Sequence, residues 1–184
     1  MSFFFDTNIL VYVFDRSESV KQVQAQDLVT AHMTARDMVL STQVLQELYV
    51  TLTRKKQLGA ADALEVVTTF AQERVVPASA DLVLRGLALS RRSEAPMKLR
   101  SAGGSNSRLH GTDAQLLRSG ASHSSQISVW DALIVQSALD AGCTTLYSED
   151  FQNGMRFDDL VVVNPFVLQA HEPPSKLRMR PGKR

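Results

Sequence analysis

Carboxylates are the side chains of this sequence that point most directly to chemistry. Four of them fall at predicted strand ends or on helices near an apolar face: Asp6, Glu47, Asp131 and Asp150. Two of them have a structural alternative: Asp131, three residues after Ser128, is typical of a helix cap, and Asp150, in a Ser-Glu-Asp after a strand, is typical of a turn. A role in chemistry therefore requires that the fold bring the four carboxylates together.

Two of these acids follow predicted strands. A short, aromatic-rich apolar run over residues 2–5 predicts a buried strand that ends at Asp6. Residues 143–147 predict a second buried strand, and Asp150 comes shortly after its end. The neighbouring Glu149 is the alternative to Asp150, and we favour Asp150.

The other two acids lie on predicted helices. Residues 42–54 have an apolar stripe at helical spacing, and Glu47 falls beside that stripe, so we expect it to point toward a buried edge. A second helix begins at Ser128 and is stopped by Gly142, which places Asp131 in its first turn.

Strands and helices alternate along most of the chain. The other predicted strands cover residues 38–40, 74–76 and 160–163, and the other predicted helices cover residues 20–35, 60–72 and 79–91. This alternation is typical of an α/β fold with a central parallel sheet, in which ligands bind beyond the carboxyl ends of the strands. We therefore expect the four acids to share one edge of the sheet.

Converging carboxylates repel one another unless a hard cation offsets their charge, and Mg²⁺ or Mn²⁺ bound by oxygen ligands is the natural choice. No zinc-type spacing or thiolate pair competes, because the chain has one cysteine and its four histidines are scattered: His32, His110, His123 and His171. Such a site supports phosphoryl transfer or phosphodiester hydrolysis. These residues alone do not choose between a nuclease and a phosphatase.

The length of 184 residues and the hydrophobic fraction of 44% are sufficient for one domain, which we place at residues 1–166. Residues 93–126 interrupt it with eight serines and four glycines. This composition predicts a low-complexity, disordered insertion. Residues 167–184 predict a flexible basic tail, whose last thirteen residues carry five lysines or arginines and one acid.

No apolar run approaches the length of a membrane span, so we expect a soluble cytoplasmic protein with no membrane partner. Trp130 is expected to pack in the core. Arg54, Lys55 and Lys56 end a predicted helix, where positive charge is favourable in itself, and contact with RNA is the alternative.

Four short motifs occur in the order found in a known family: Phe4-Phe5-Asp6-Thr7-Asn8, Glu47, Ser128-Val129-Trp130-Asp131-Ala132, and residues 146–154. Together they resemble a PIN domain of the VapC-like toxin kind over about residues 1–92 and 127–166. Each motif is weak alone, but four in order are fairly specific. The insertion departs from the family, which normally has a short connection at that place.

The resemblance implies a three-layer α/β/α sandwich and a Mg²⁺-dependent endoribonuclease with an RNA substrate, the toxin of a type II toxin-antitoxin pair. It also implies a homodimer inhibited by a cognate antitoxin. Asp6, Glu47, Asp131 and Asp150 would be the catalytic metal ligands. Three neighbours of these acids would support them: Thr7, Asn8 and Ser148. The alternatives are a structure-specific DNA nuclease on the same fold and a catalytically silent binding module whose site is blocked by the insertion.

Overall fold

A computed structural model of the chain describes residues 1–94 and 127–167. Its centre is a six-stranded sheet with the order β3-β2-β1-β4-β6-β5. The strands are β1 (Phe3–Phe5), β2 (Met38–Ser41), β3 (Arg74–Val76), β4 (Thr145–Tyr147), β5 (Arg156–Phe157) and β6 (Leu160–Val163). All neighbouring pairs are parallel except β5 and β6 at one edge, which are antiparallel.

Helices pack on both sides of this sheet, as the α/β prediction requires. They are α1 (Thr7–Tyr12), α2 (Ser19–Ala35), α3 (Thr42–Arg54), α4 (Ala60–Phe70), α5 (Ala80–Glu94) and α6 (Val129–Asp140). The core forms where their apolar faces meet the sheet, and it includes the fully buried Phe4, Leu48 and Leu146. Among the described residues, no helix is both long and apolar enough to cross a membrane.

Two elements were missed by the sequence analysis. Helix α1 begins directly after β1, and its six residues are too few and too uniformly apolar to show helical periodicity. Strand β5 has two residues, which is shorter than any pattern of alternation can reveal. The sheet is therefore mixed at its edge, whereas the prediction was a parallel sheet.

The predicted insertion and tail fall almost entirely outside the described residues. Helix α5 continues to Glu94, so it extends past the predicted start of the insertion at Ser93. The rest of the insertion, residues 95–126, and residues 168–184 of the tail lie outside the described part of the chain.

The central strands of the sheet, β1 and β4, position the acidic residues. Phe5 pairs with Tyr147 at their carboxyl ends, so Asp6 and Ser148 emerge side by side. The backbone N–H of Asp6 donates to the Tyr147 carbonyl at 3.0 Å, which extends the pairing by one residue. The parallel register thus brings the acid after β1 next to the loop that carries Asp150.

Candidate active site

Asp6 is the most deeply buried acid of this edge, with only 6% of its surface exposed. One of its carboxylate oxygens accepts from the backbone N–H of Thr7 at 2.6 Å, so Asp6 caps α1. The other oxygen accepts from the Ser148 hydroxyl at 2.7 Å. No lysine, arginine or histidine of the described residues forms an ion pair with Asp6.

Burial without a cation raises the pKa of Asp6 from 3.8 to about 7. The hydrogen bonds from Ser148 and Thr7 oppose this rise, and the nearby charges of Asp150 and Glu47 add to it. The carboxylates of Asp150 and Glu47 therefore lie close enough to Asp6 to act on it through space. In the metal-free protein, the site therefore binds a proton at a pH where exposed aspartates are ionised.

Asn8 joins the two strand-end acids through its side-chain amide. Its Nδ2 lies 3.2 Å from Asp6 Oδ2, 3.2 Å from Ser148 Oγ and 2.9 Å from Asp150 Oδ2. Its Oδ1 is buried and has no hydrogen-bond partner among the described residues. Burying an oxygen without a hydrogen-bond donor costs free energy, and this oxygen lies beside carboxylates. The arrangement fits a site that binds an additional cation or hydrogen-bond donor.

Glu47 comes to the same edge from α3. Its carboxylate accepts from the Thr7 hydroxyl at 2.8 Å and from Gln43 Nε2 at 2.9 Å. The Gln43 amide also lies 3.3 Å from the backbone carbonyl of Trp130, which connects α3 to the first turn of α6. Sequence reasoning missed Gln43; its position one helical turn before Glu47 was the available signal.

The structure separates Glu149 from Asp150. Glu149 accepts from Lys21 Nζ at 2.6 Å and from the Tyr12 hydroxyl at 2.5 Å, so its charge is neutralised on the α2 side of the loop. Asp150 instead accepts from Asn8, and its backbone N–H donates to Ser148 Oγ at 3.2 Å. Burial and the bond to Glu149 raise the pKa of Tyr12, whose ring lies under the Lys21 ammonium.

Asp131 occupies the first turn of α6 and completes a capping box. The Ser128 hydroxyl accepts from the Asp131 backbone N–H at 3.1 Å, and the Asp131 carboxylate accepts from the Ser128 N–H at 3.4 Å. The helix-capping role, which the sequence offered as the alternative for Asp131, is thus present in the structure. A carboxylate has further lone pairs, so capping does not prevent it from binding a cation as well.

Trp130 is 66% exposed, so the prediction that it packs in the core is wrong. The buried face of α6 is made by Ala132, Val135 and Ala138, and Trp130 lies outside that face at the first turn. A residue at a helix start does not have to follow the periodicity of the helix, which explains the error.

The donor set fits a hard divalent cation, since every candidate ligand is an oxygen and the buried Asp6 has no positive partner in the described part of the chain. The arrangement is not a closed coordination site. Within residues 1–94 and 127–167, no three acidic, histidine or cysteine side chains converge closely enough to hold a metal ion. Asp150 and Glu47 lie near enough to Asp6 to affect its pKa, but they do not form a metal site with it, and Asp131 is engaged in its cap.

A family model for the PIN domain matches residues 3–153 of the sequence. The chain belongs to the PIN domain family. PIN domains are nucleases, and the match includes all four predicted acids. No curated protein matches the chain.

Solved structures share the fold of this PIN domain at low sequence identity. VapC20 of Mycobacterium tuberculosis, described as a sarcin-ricin loop cleaving toxin, is 17% identical with a TM-score of 0.53, over 86% of this chain and 92% of that chain. A toxin-antitoxin complex from Klebsiella pneumoniae is also 17% identical with a TM-score of 0.53, over 90% and 98%. VapBC2 from Rickettsia felis, bound to a DNA fragment from its promoter, is 18% identical with a TM-score of 0.50, over 88% and 97%.

Proposed function

We propose that this PIN domain is a metal-dependent endoribonuclease, the toxin of a type II toxin-antitoxin pair. The observation that carries the proposal is the buried Asp6 carboxylate, which forms no ion pair with any residue that the structure describes and lies close enough to Asp150 and Glu47 to be affected by their charges. In a family of nucleases, an uncompensated acidic cluster at the sheet edge is best explained by a divalent cation that binds there with substrate.

Asp6, Glu47, Asp131 and Asp150 are the residues proposed to hold Mg²⁺ or Mn²⁺. When bound, a divalent cation activates a water and neutralises charge on the phosphate. The protein's own contribution is positional: Ser148 and Asn8 orient Asp6 and Asp150 through their hydrogen bonds, and Thr7 orients Glu47. Asp6 must lose its proton before it can bind a cation, so the state with a charged Asp6 is the active one.

The binding partners that we propose follow from the proposed toxin function. The structural neighbours include complexes of toxins with antitoxins, which supports a cognate antitoxin for this chain as well. A homodimer, an RNA substrate and a cytoplasmic location belong to the same proposal. In this proposal the functional domain covers residues 1–166, and the insertion predicted at residues 93–126 begins within the last two residues of α5 and precedes α6.

The test is cleavage of a labelled RNA by the purified protein with Mg²⁺, with Mn²⁺ and with EDTA. We expect cleavage with either metal and none with EDTA, and we expect Asp6→Asn to be inactive because it removes a ligand from the buried centre of the cluster. Cleavage that persists undiminished in EDTA would rule out the metal mechanism. Cleavage of DNA but not RNA would favour a DNA nuclease on the same fold.

A catalytically silent binding module is the second candidate. Two observations favour it: Asp131 is engaged in a capping box, and no three potential ligands converge in the described part of the chain. The two candidates are distinguished by the same assay combined with calorimetry. A protein that binds neither Mg²⁺ nor Mn²⁺ and cleaves no nucleic acid would establish the silent module.

A further inference from the structure

A cavity of about 300 Å³ opens beside the acidic cluster, between α1 and the C-terminal end of α3. Thr7, Asn8 and Asp150 line it on the side of the cluster, and Lys55 and Lys56 line it on the side of α3. One depression therefore connects Asp150, one of the proposed catalytic acids, with two lysines.

A larger cavity of about 740 Å³ adjoins it and shares Asp15, Lys55 and Lys56 in its lining. This second cavity is also lined by Arg16. We call the two adjoining cavities the basic groove. It leads away from the acids along the end of α3 and the segment that links α1 to α2.

The ion pairs among the described residues leave two cations of the groove without an acidic partner. Lys56 forms an ion pair with Asp15, and Glu149 at the rim has its own partner in Lys21. Lys55 and Arg16 are exposed, and neither forms an ion pair with a described residue. Three acids line the smaller cavity, and Asp150 is the one that forms no ion pair with a residue that the structure describes.

We propose that the basic groove binds the sugar-phosphate backbone of a single-stranded nucleic acid, with Lys55 on a phosphate that neighbours the cleaved one. This inference rests on the proposed nuclease function. The acidic cluster repels a polyanion, so positive charge just outside it is needed to hold the strand. Contacts of lysine with phosphates carry no base information, so the groove supplies affinity and register, not sequence specificity.

Arg54 provides a matched control for Lys55. It precedes Lys55 at the same helix end and is exposed, but it lines neither cavity. The experiment compares Lys55→Gln with Arg54→Gln, using KM and kcat for cleavage and the affinity for a labelled single-stranded oligonucleotide measured over a range of salt concentrations. RNA and DNA oligonucleotides of one sequence are used in parallel, since both present the same phosphate chemistry.

We expect Lys55→Gln to raise KM with little change in kcat. The slope of log affinity against log salt concentration should fall by about 0.7, the value for one lost phosphate contact on a single strand. Arg54→Gln should leave both quantities near those of the wild type. Arg16→Gln is a second variant that should weaken binding in the same way. It tests the groove independently if Lys55→Gln proves to be destabilised.

Equal losses of oligonucleotide affinity in Lys55→Gln and Arg54→Gln would overturn the proposal, because they would show that the protein attracts the strand through its overall charge only. Unchanged binding by both Lys55→Gln and Arg16→Gln would overturn it as well. Neither result affects the nuclease proposal if the wild type still cleaves. Conversely, a wild type that binds the strand through Lys55 without cleaving it would support the groove and contradict the proposed catalysis.

Discussion

Lys21 Nζ lies 2.6 Å from Glu149 Oε2, and this ion pair fixes one of two adjacent acids on the α2 side of the loop after β4. The Lys21 ammonium also lies 4.4 Å from the centre of the Tyr12 ring and 5.2 Å from that of Phe166. Asp150 is thereby the acid of the pair that is left to face Asn8 and Asp6. The ion pair holds Glu149 on the side of Lys21, which supports Asp150 as the proposed fourth acid.

The first prediction concerns this pair. Lys21→Gln should weaken cation binding at the site, because the freed Glu149 carboxylate can compete with Asp150 for the Asn8 amide and so displace Asp150 from its position. The double variant Lys21→Gln/Glu149→Gln should recover most of the loss, and Lys21→Arg should behave like the wild type. Isothermal titration with Mn²⁺ measures the effect. A double-mutant cycle on the free energy of unfolding should give a coupling of about 0.5–1 kcal/mol between these two partly exposed side chains at low salt. A double variant as weak as Lys21→Gln would contradict the positioning role.

The second prediction concerns Gln43, which joins Glu47 to the start of α6. Gln43→Ala should reduce activity or metal affinity roughly tenfold or more, as is typical when a group that orients a ligand is lost. Gln46→Ala is the control, because Gln46 lies on the same helix and is exposed. Steady-state kinetics for both variants provide the comparison. If the two substitutions had the same effect, Gln43 would have no special role in orienting Glu47.

The third prediction concerns repulsion within the cluster. Asp150→Asn keeps the shape of the side chain and removes a charge that raises the pKa of Asp6, so the variant should melt at or above the wild-type temperature in EDTA. Excess Mg²⁺ should then raise the melting temperature of the wild type more than that of the variant. Glu149→Gln is the contrasting substitution, since it removes the partner of Lys21 and should lower stability. Equal Mg²⁺ shifts for wild type and Asp150→Asn would assign Asp150 a purely structural role in its turn.

The fourth prediction concerns pH. The pKa of Asp6 is about 7 in the folded protein and 3.8 in the unfolded reference, so the folded state binds more protons between these values. The stability of the metal-free protein should therefore fall as pH rises from about 4 to about 7 and level off above 7. Asp6→Asn lacks this proton, so the melting temperature of the wild type should drop relative to the variant over that range. The measurement is the melting temperature of both proteins against pH in EDTA. If the two dependences were parallel, Asp6 would not have the raised pKa assigned to it.

Cation binding should show the opposite trend, because the bound cation requires the ionised Asp6. Below pH 7, the affinity for Mn²⁺ should weaken by roughly tenfold per pH unit as one proton competes for the carboxylate. Titrations at several pH values measure this dependence, and Asp6→Asn provides a background without the competing proton.

The sequence by itself determined the alternation of strands and helices and a largely parallel central sheet, with Asp6 directly after β1. Those features depend on local periodicity and on the rule that parallel strands end together, so α3, β3 and β6 were predicted with the bounds that the structure shows. The mixed sheet edge escaped prediction because β5 has only two residues.

The tertiary structure alone decided how the acids are held. Asn8 reaches Ser148 and Asp150, which lie about 140 positions away in the chain, and Lys21 selects between Glu149 and Asp150 from a different helix. Contacts between residues so far apart in sequence leave no local pattern in a single chain, because they depend on how the elements pack and not on the propensity of any one element. The same reason explains why Trp130, apolar in sequence, is exposed in the fold.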